Sequence, residues 1–208
     1  MTAAATGASD TSPCARPRRR GAALEDAIHC AVFEELADVG YPAFTIESVA
    51  ARAKIGKSSI YRRWQTKQDL VVDSFVARFG GPDDIVAIMA DSGASTRDLL
   101  VEVGTHICLL SGEAGEAMRA IAFETTRDPE LAATIEKKVG EPKRSALIEI
   151  LRRGVLRGEV RHDAACEFYG ELLPAVIIYR TVMVNRPVTT EDVADVVDRA
   201  IMPLLRPA

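Results

Sequence analysis

Apolar residues in this chain recur every three or four positions between points of punctuation, and nowhere do they alternate with the period of two that a half-buried strand requires. Leu24, Ile28, Ala31, Val32, Leu36 and Val39 keep this spacing from Ala22 until Gly40 stops it. A stripe repeating every 3.6 residues must be covered by another helix, so an all-α fold is expected. Thr45 can cap a short second helix whose inner face is Ile46, Val49, Ala50 and Ala53. A turn leads to a third helix, from Lys57 to about Trp64. Thr66 with Asp69 three residues on has the pattern of a capping box for a fourth helix, to about Gly80.

The later punctuation marks longer elements, about nine helices in total. Ser95 with Asp98 opens a helix through Leu99, Leu100, Val103, Ile107 and Leu110, and another spans roughly Glu116 to Thr126. Asp128 before Pro129 is a strong helix start, and Gly140 and Pro142 predict a break or kink in the long helical stretch that it opens. Asp163 is expected to start a helix that is apolar almost all round, and Val193, Val196, Val197, Ile201, Leu204 and Leu205 repeat along a last helix after Thr190.

The hydrophobic fraction of 48% suffices for a core, yet no uninterrupted apolar run approaches the ~20 residues that span a bilayer. Residues 1–20 are small and polar, with basic residues at the end rather than ahead of a hydrophobic stretch. They are expected to be a disordered arm, and the protein cytoplasmic. Cys14, Cys30, Cys108 and Cys166 form no C-x-x-C pair and read as three buried thiols and one in the arm. His29, His106 and His162 lie at no metal-ligand spacing, so no metal or cofactor is expected.

Charge divides the chain. The formal net charge is −4, but residues 1–67 hold ten Lys or Arg against seven Asp or Glu, and the remainder sixteen against twenty-three. Between Glu47 and Asp69 there is no acid, whereas Arg52, Lys54, Lys57, Arg62, Arg63 and Lys67 are all present. A solvated face normally mixes signs, so this stretch points to a polyanion. At about 100° per residue, Ile60 and Trp64 share one side of the third helix and Ser58 and Arg62 the other. Ser59 lies beside that outward pair, Lys57 and Tyr61 on one flank and Arg63 on the other. Two short helices joined by a tight turn, the second bearing outward donors, make a helix-turn-helix.

The segment "GYPAFTIESVAARAKIGKSSIYRRWQTKQDL", residues 40–70, resembles the DNA-binding signature of TetR-type bacterial transcriptional regulators. Two departures are Lys54 at the usual turn glycine and Gly56 at the usual serine cap. The resemblance implies that Thr45 meets a phosphate, that Lys57, Ser58, Ser59, Tyr61, Arg62 and Arg63 face the groove and its walls, and that Lys67 clamps the DNA backbone. Arg18, Arg19 and Arg20 are either further DNA contacts or a solvated tail.

The expected organisation is an arm (1–20), a helix-turn-helix domain (21–66) and a C-terminal helical domain (67–208), which the resemblance makes a dimerisation and small-molecule domain. The helix at residues 168–184, apolar all round, needs cover on two sides; paired with the last helix it would form half of a homodimer interface, with Val197 and Ile201 in the seam. A two-fold dimer implies double-stranded DNA with a palindromic operator. Isolated polar or bulky residues in apolar helices, His106, Met118, Phe123, Glu124, Tyr169 and Tyr179, are the candidates for an effector pocket, which Ala120 could also line. Leu70, Val71, Ser74 and Phe75 of the fourth helix would link pocket to reading head. A helical enzyme would need paired E-x-x-H motifs, a G-x-S-x-G elbow, a P-loop or a G-x-G-x-x-G loop, and none is present. The rivals to a sequence-specific regulator, probed by metal content and by scrambled DNA, are thus an enzyme and a non-specific nucleoid-type binder.

Overall fold

The computed structural model describes residues 21–79 and 93–207. The arm with Arg18, Arg19, Arg20 and Cys14, and the expected helix end at Gly80, lie outside the described residues. Among the described residues there are nine continuous helices and no strand.

α1 (Ala22–Ala43) turns at Gly40, whose φ of 71° suits glycine. α2 (Ile46–Ala53) starts where the Thr45 hydroxyl accepts the Ser48 N–H at 3.1 Å and ends at Lys54, in the left-handed conformation with φ 57° and ψ 47°. That backbone costs a non-glycine residue about 1 kcal/mol, and it makes the tight turn into α3 (Lys57–Tyr61). α3 is shorter than expected: after Tyr61 the chain tightens, with Arg63 N–H and Trp64 N–H both donating to the Ile60 carbonyl. The Trp64 indole N–H then donates to Asp73 at 2.8 Å, drawing the chain into α4 (Lys67–Phe79), and Thr66 and Asp69 cap each other as anticipated.

α5 (Thr96–Glu113) is capped by Ser95, and α6 (Gly115–Thr125) follows it almost directly. α7 starts on the Asp128 cap as Pro129–Ile135, passes through a π-helical turn, Glu136–Gly140, and continues as Glu141–Leu156. The break expected at Gly140 and Pro142 is thus a widened turn in an unbroken rod. α8 runs Glu167–Ile178 and ends in a second π-turn, Tyr179–Met183. Asp163 does not cap it; that carboxylate is paired with Arg161. α9 (Thr190–Val196, Val197–Ile201 and Met202–Leu205) is opened by a Thr189–Asp192 capping box, one residue ahead of the expected start.

Two apolar clusters hold these rods. One runs from Ile28, Leu36, Val49, Ile60 and Trp64 of the N-terminal helices, through Leu70 and Phe75 of α4, into Ile121 of α6 and Leu131 of α7. The other joins α5, the second half of α7, α8 and α9. Val39 is exposed, and so are Cys30 and Cys166, leaving Cys108 as the buried thiol among the described cysteines.

Glu159 ties the start of α5 to the end of α7. The Thr96 N–H donates to Glu159 Oε2 at 2.6 Å, and Arg157 Nε donates to Oε1 at 2.7 Å. The Arg157 guanidinium, and after it Thr96, hold the carboxyl down to about 2 from an ordinary 4.5. A lowered folded pKa contributes stability above the unfolded value and loses it as the folded value is approached. Glu159→Gln is therefore expected to lower the thermal midpoint at pH 7, and its deficit against the wild type should shrink between pH 4.5 and about 2. A deficit independent of pH would contradict this role.

Candidate nucleic-acid interface and effector cavity

α3 is held from behind. Ile60 is fully buried and Trp64 nearly so, and His29 of α1 sets its ring against the indole at 5.8 Å. The Ser74 hydroxyl donates to the Leu70 carbonyl at 2.7 Å, so the His29 Nδ1–H donates to Ser74 Oγ, at 2.8 Å. Burial lowers the His29 pKa against the opposing pull of Asp73, Glu25 and Asp26, which favours the neutral ring this arrangement uses.

The outward face separates into two kinds of residue. Lys57, Ser58 and Arg62 are exposed, and among the described residues their side chains make no hydrogen bond or ion pair; Ser59 beside them is half-buried. Tyr61 and Arg63 are engaged within the protein. The Tyr61 hydroxyl donates to Glu47 at 3.0 Å, and Arg63 Nε donates to Glu25 at 3.0 Å. Lys67 lies 4.4 Å over the Tyr41 ring and donates to the Tyr41 carbonyl at 3.1 Å, bracing the turn at Gly40. Arg52 belongs to the scaffold, since Glu35 and Asp38 take its guanidinium. Thr45 sits exposed at the α2 N-terminus.

A cavity of about 510 Å³ lies between α4, α5, α6, α7 and α8. Phe75, Phe79, Ile107, Met118, Ile121 and Val139 are among its walls. Ser111, itself buried, adds a hydroxyl to the lining. Of the six residues picked from the sequence, only Met118 is on this wall. Phe123 and Tyr179 are exposed, Phe123 under the Arg127 guanidinium, and Tyr169 packs with the second cluster. Glu124 is half-buried on α6. His106 keeps a buried Nε2 without a partner but does not line the cavity. Ala120 is not on the wall; its neighbours Ile121 and Ala122 are. Lys143, Arg144, Glu136 and Glu171 line it as well, and sequence spacing pointed to none of them.

α8 turns Leu173, Ile177 and Val182 inward, while Phe168, Tyr179 and Met183 form an outward apolar stripe; Tyr179 is 61% and Met183 73% exposed. Val197 and Ile201, expected in a seam between subunits, are instead 0% and 2% exposed within this chain's own core. Among the described residues no helix is long and apolar enough to cross a membrane, and no group of His, Cys, Asp or Glu could hold a metal ion.

A two-helix reading head on an all-α body is the architecture of a helix-turn-helix regulator, and comparison with known proteins agrees. Residues 31–73 match the family model for bacterial regulatory proteins of the tetR family, and residues 89–200 match the tetracyclin repressor-like C-terminal domain. The HTH-type transcriptional regulator Rv1556 of Mycobacterium tuberculosis is 32% identical over 170 residues, 82% of each chain. The DNA-binding transcriptional repressor TetR of Mycobacteroides abscessus is 27% identical, covering 90% of this chain and 97% of that one. The fold is similar to that of the transcriptional regulator FadR from Bacillus subtilis, solved in complex with stearoyl-CoA, with a TM-score of 0.67, 20% identity and coverage of 86% and 96%. The chain belongs to the TetR family of transcriptional regulators and binds DNA through its helix-turn-helix.

Proposed function

We propose that the protein is a cytoplasmic, sequence-specific repressor without enzymatic activity, which binds a palindromic operator as a homodimer and is released by a small molecule held in the α4–α8 cavity. The observation that carries the reading is the outward face of α3, where Lys57, Ser58 and Arg62 point away from the body with no intramolecular partner among the described residues. Arginine can bind guanine bidentately in the major groove, and small Ser58 permits close approach to base edges. Tyr61, Arg63 and Lys67 suit phosphates, and for Tyr61 and Arg63 a phosphate would replace the Glu47 and Glu25 carboxylates. The repressor named among the relatives, and the acyl-CoA held by the structural neighbour, support the same reading.

The link from cavity to head is α4. Leu70, Val71, Ser74 and Phe75 are all buried, and Phe75 is shared between the head's apolar cluster and the cavity wall. An occupant can release DNA only by favouring a spacing of two heads that mismatches successive major grooves.

Arg62→Ala is expected to relax preference at one operator position, at a cost of about 1–3 kcal/mol there. Tyr61→Phe should weaken specific and scrambled DNA by similar factors. Binding of both DNAs, measured by fluorescence anisotropy, decides between the roles; equal effects of Arg62→Ala on the two would mean that another face reads the bases.

A further inference from the structure

Where the cavity meets the surface, at its mouth, its lining is charged. Arg144 of α7 donates to Glu136 Oε1 at 2.6 Å and lies 3.8 Å from Glu171 of α8. Lys143, next to it, sits 4.7 Å over the ring of Phe79 on the cavity wall. The parties to this clasp differ in how firmly they are placed. The Arg144 side chain is 25% exposed, whereas the carboxylate partners are 56% and 57% exposed. Arg144 is thus the better-covered partner, and the anions stand at the surface, where an ion pair is worth about 0–1 kcal/mol. An anion arriving from solvent can take the place of either glutamate.

The clasp also sits on the element that faces the lever. Glu136 opens the π-helical turn Glu136–Gly140, and that turn packs against α4. Glu136 folds back over Gly140 to reach Arg144; a β-carbon at Gly140 would collide with the carboxylate. Behind the mouth the wall is apolar: Phe79, Ile107, Met118, Ile121 and Pro174.

We infer that the effector is an anionic amphiphile, whose apolar chain fills the cavity and whose anionic oxygen head exchanges with Glu136 for Arg144 at the mouth, freeing the π-turn that leans on α4. The inference rests on the reading of this cavity as the effector site. Arg144 is the anchor that sets specificity and Glu136 is the competitor the ligand must displace. The head group is a carboxylate or the phosphates of an acyl-CoA, which offer Arg144 the same chemistry.

The test compares dodecanoate, dodecanoyl-CoA and dodecanol, each below its micellar concentration, by calorimetry on the full-length protein, with operator affinity measured in parallel. One or both anions should bind tighter than dodecanol by about tenfold or more, as a charge-assisted hydrogen bond implies; which of the two does so identifies the head group. Arg144→Gln should remove that preference while leaving dodecanol binding unchanged, and Glu136→Gln should tighten the anions alone. Dodecanol binding as well as the anions, a preference that survives Arg144→Gln, or no binding by any of the three would overturn the inference. If dodecanol releases the operator as well as the anions do, the effector reading stands and the ligand class fails. If the anions bind through Arg144 and operator affinity does not move, the ligand class stands and the effector reading fails.

Discussion

Tyr179→Asp combined with Met183→Asp is expected to yield a folded monomer that has lost tight operator binding. Both side chains lie on the outward stripe of α8 and neither belongs to the core of its own chain. Two carboxylates per subunit in an apolar seam would be desolvated without partners, a penalty larger than most interfaces tolerate. A monomer keeps one reading head and forfeits the second, which binds at high effective concentration once the first is seated. The loss is therefore about a hundredfold to ten-thousandfold in affinity. Sedimentation should give half the wild-type mass with an unchanged helical spectrum. A variant that stays dimeric would move the interface elsewhere. The choice of residues matters, because glutamate at Val197 or Ile201 would enter the chain's own core and unfold it before association could be judged.

Trp64→Ala should have the largest effect on stability. Trp64 is 6% exposed, meets the His29 ring in a T-shaped contact and donates its indole N–H to Asp73. Truncating a buried aromatic of this size costs about 3–5 kcal/mol, and Asp73 loses its partner as well. The damage should reach the body, because the apolar cluster containing Trp64 continues through α4 into α6 and α7. Trp64→Phe keeps one ring in the site but removes the pyrrole half of the indole with its N–H, so it should cost less than alanine, about 1–3 kcal/mol. Urea midpoints of the two variants check this. An alanine variant within about 1 kcal/mol of the wild type would mean that α3 is held by other contacts.

Features set by neighbours three or four residues apart were legible in the sequence. The Thr45 and Ser95 caps, the Thr66–Asp69 box and the Asp128 start were readable because a hydroxyl or carboxylate and the N–H it captures lie within one turn. So was the burial of Ile60, which helical phase dictates, and Trp64 is buried as expected although the chain has left the helix before it. Asp163 failed by the same logic, since it stands near a helix start but is taken by Arg161 two residues before it. Pairings between residues far apart along the chain were not legible. Nothing in the local sequence pairs Arg63 with Glu25, 38 residues away, or Tyr61 with Glu47, so the six residues expected to face the groove could not be separated into engaged and unengaged sets.

The cavity shows the limit most clearly. A helix apolar on both sides does not declare which side meets its own core. Val197 and Ile201 were therefore placed in a seam, whereas both are buried in the core of their own chain. The search for polar or bulky residues inside apolar stretches drew attention to Phe123 and Tyr179, which are exposed. The charged residues that line the cavity, Lys143, Arg144 and Glu171, were singled out by no sequence spacing.

The central claim is that the face of α3 carrying Lys57, Ser58 and Arg62 reads base sequence in a two-fold arrangement. It is tested most directly by selecting bound sequences from a random DNA pool with the wild type and with Arg62→Ala. The wild type should enrich a palindrome whose half-sites lie about one helical turn, or a whole multiple of it, apart. Arg62→Ala should degrade the same position in both halves and leave the rest. A pool that stays without a motif, or a wild-type motif that Arg62→Ala leaves intact, would contradict the claim.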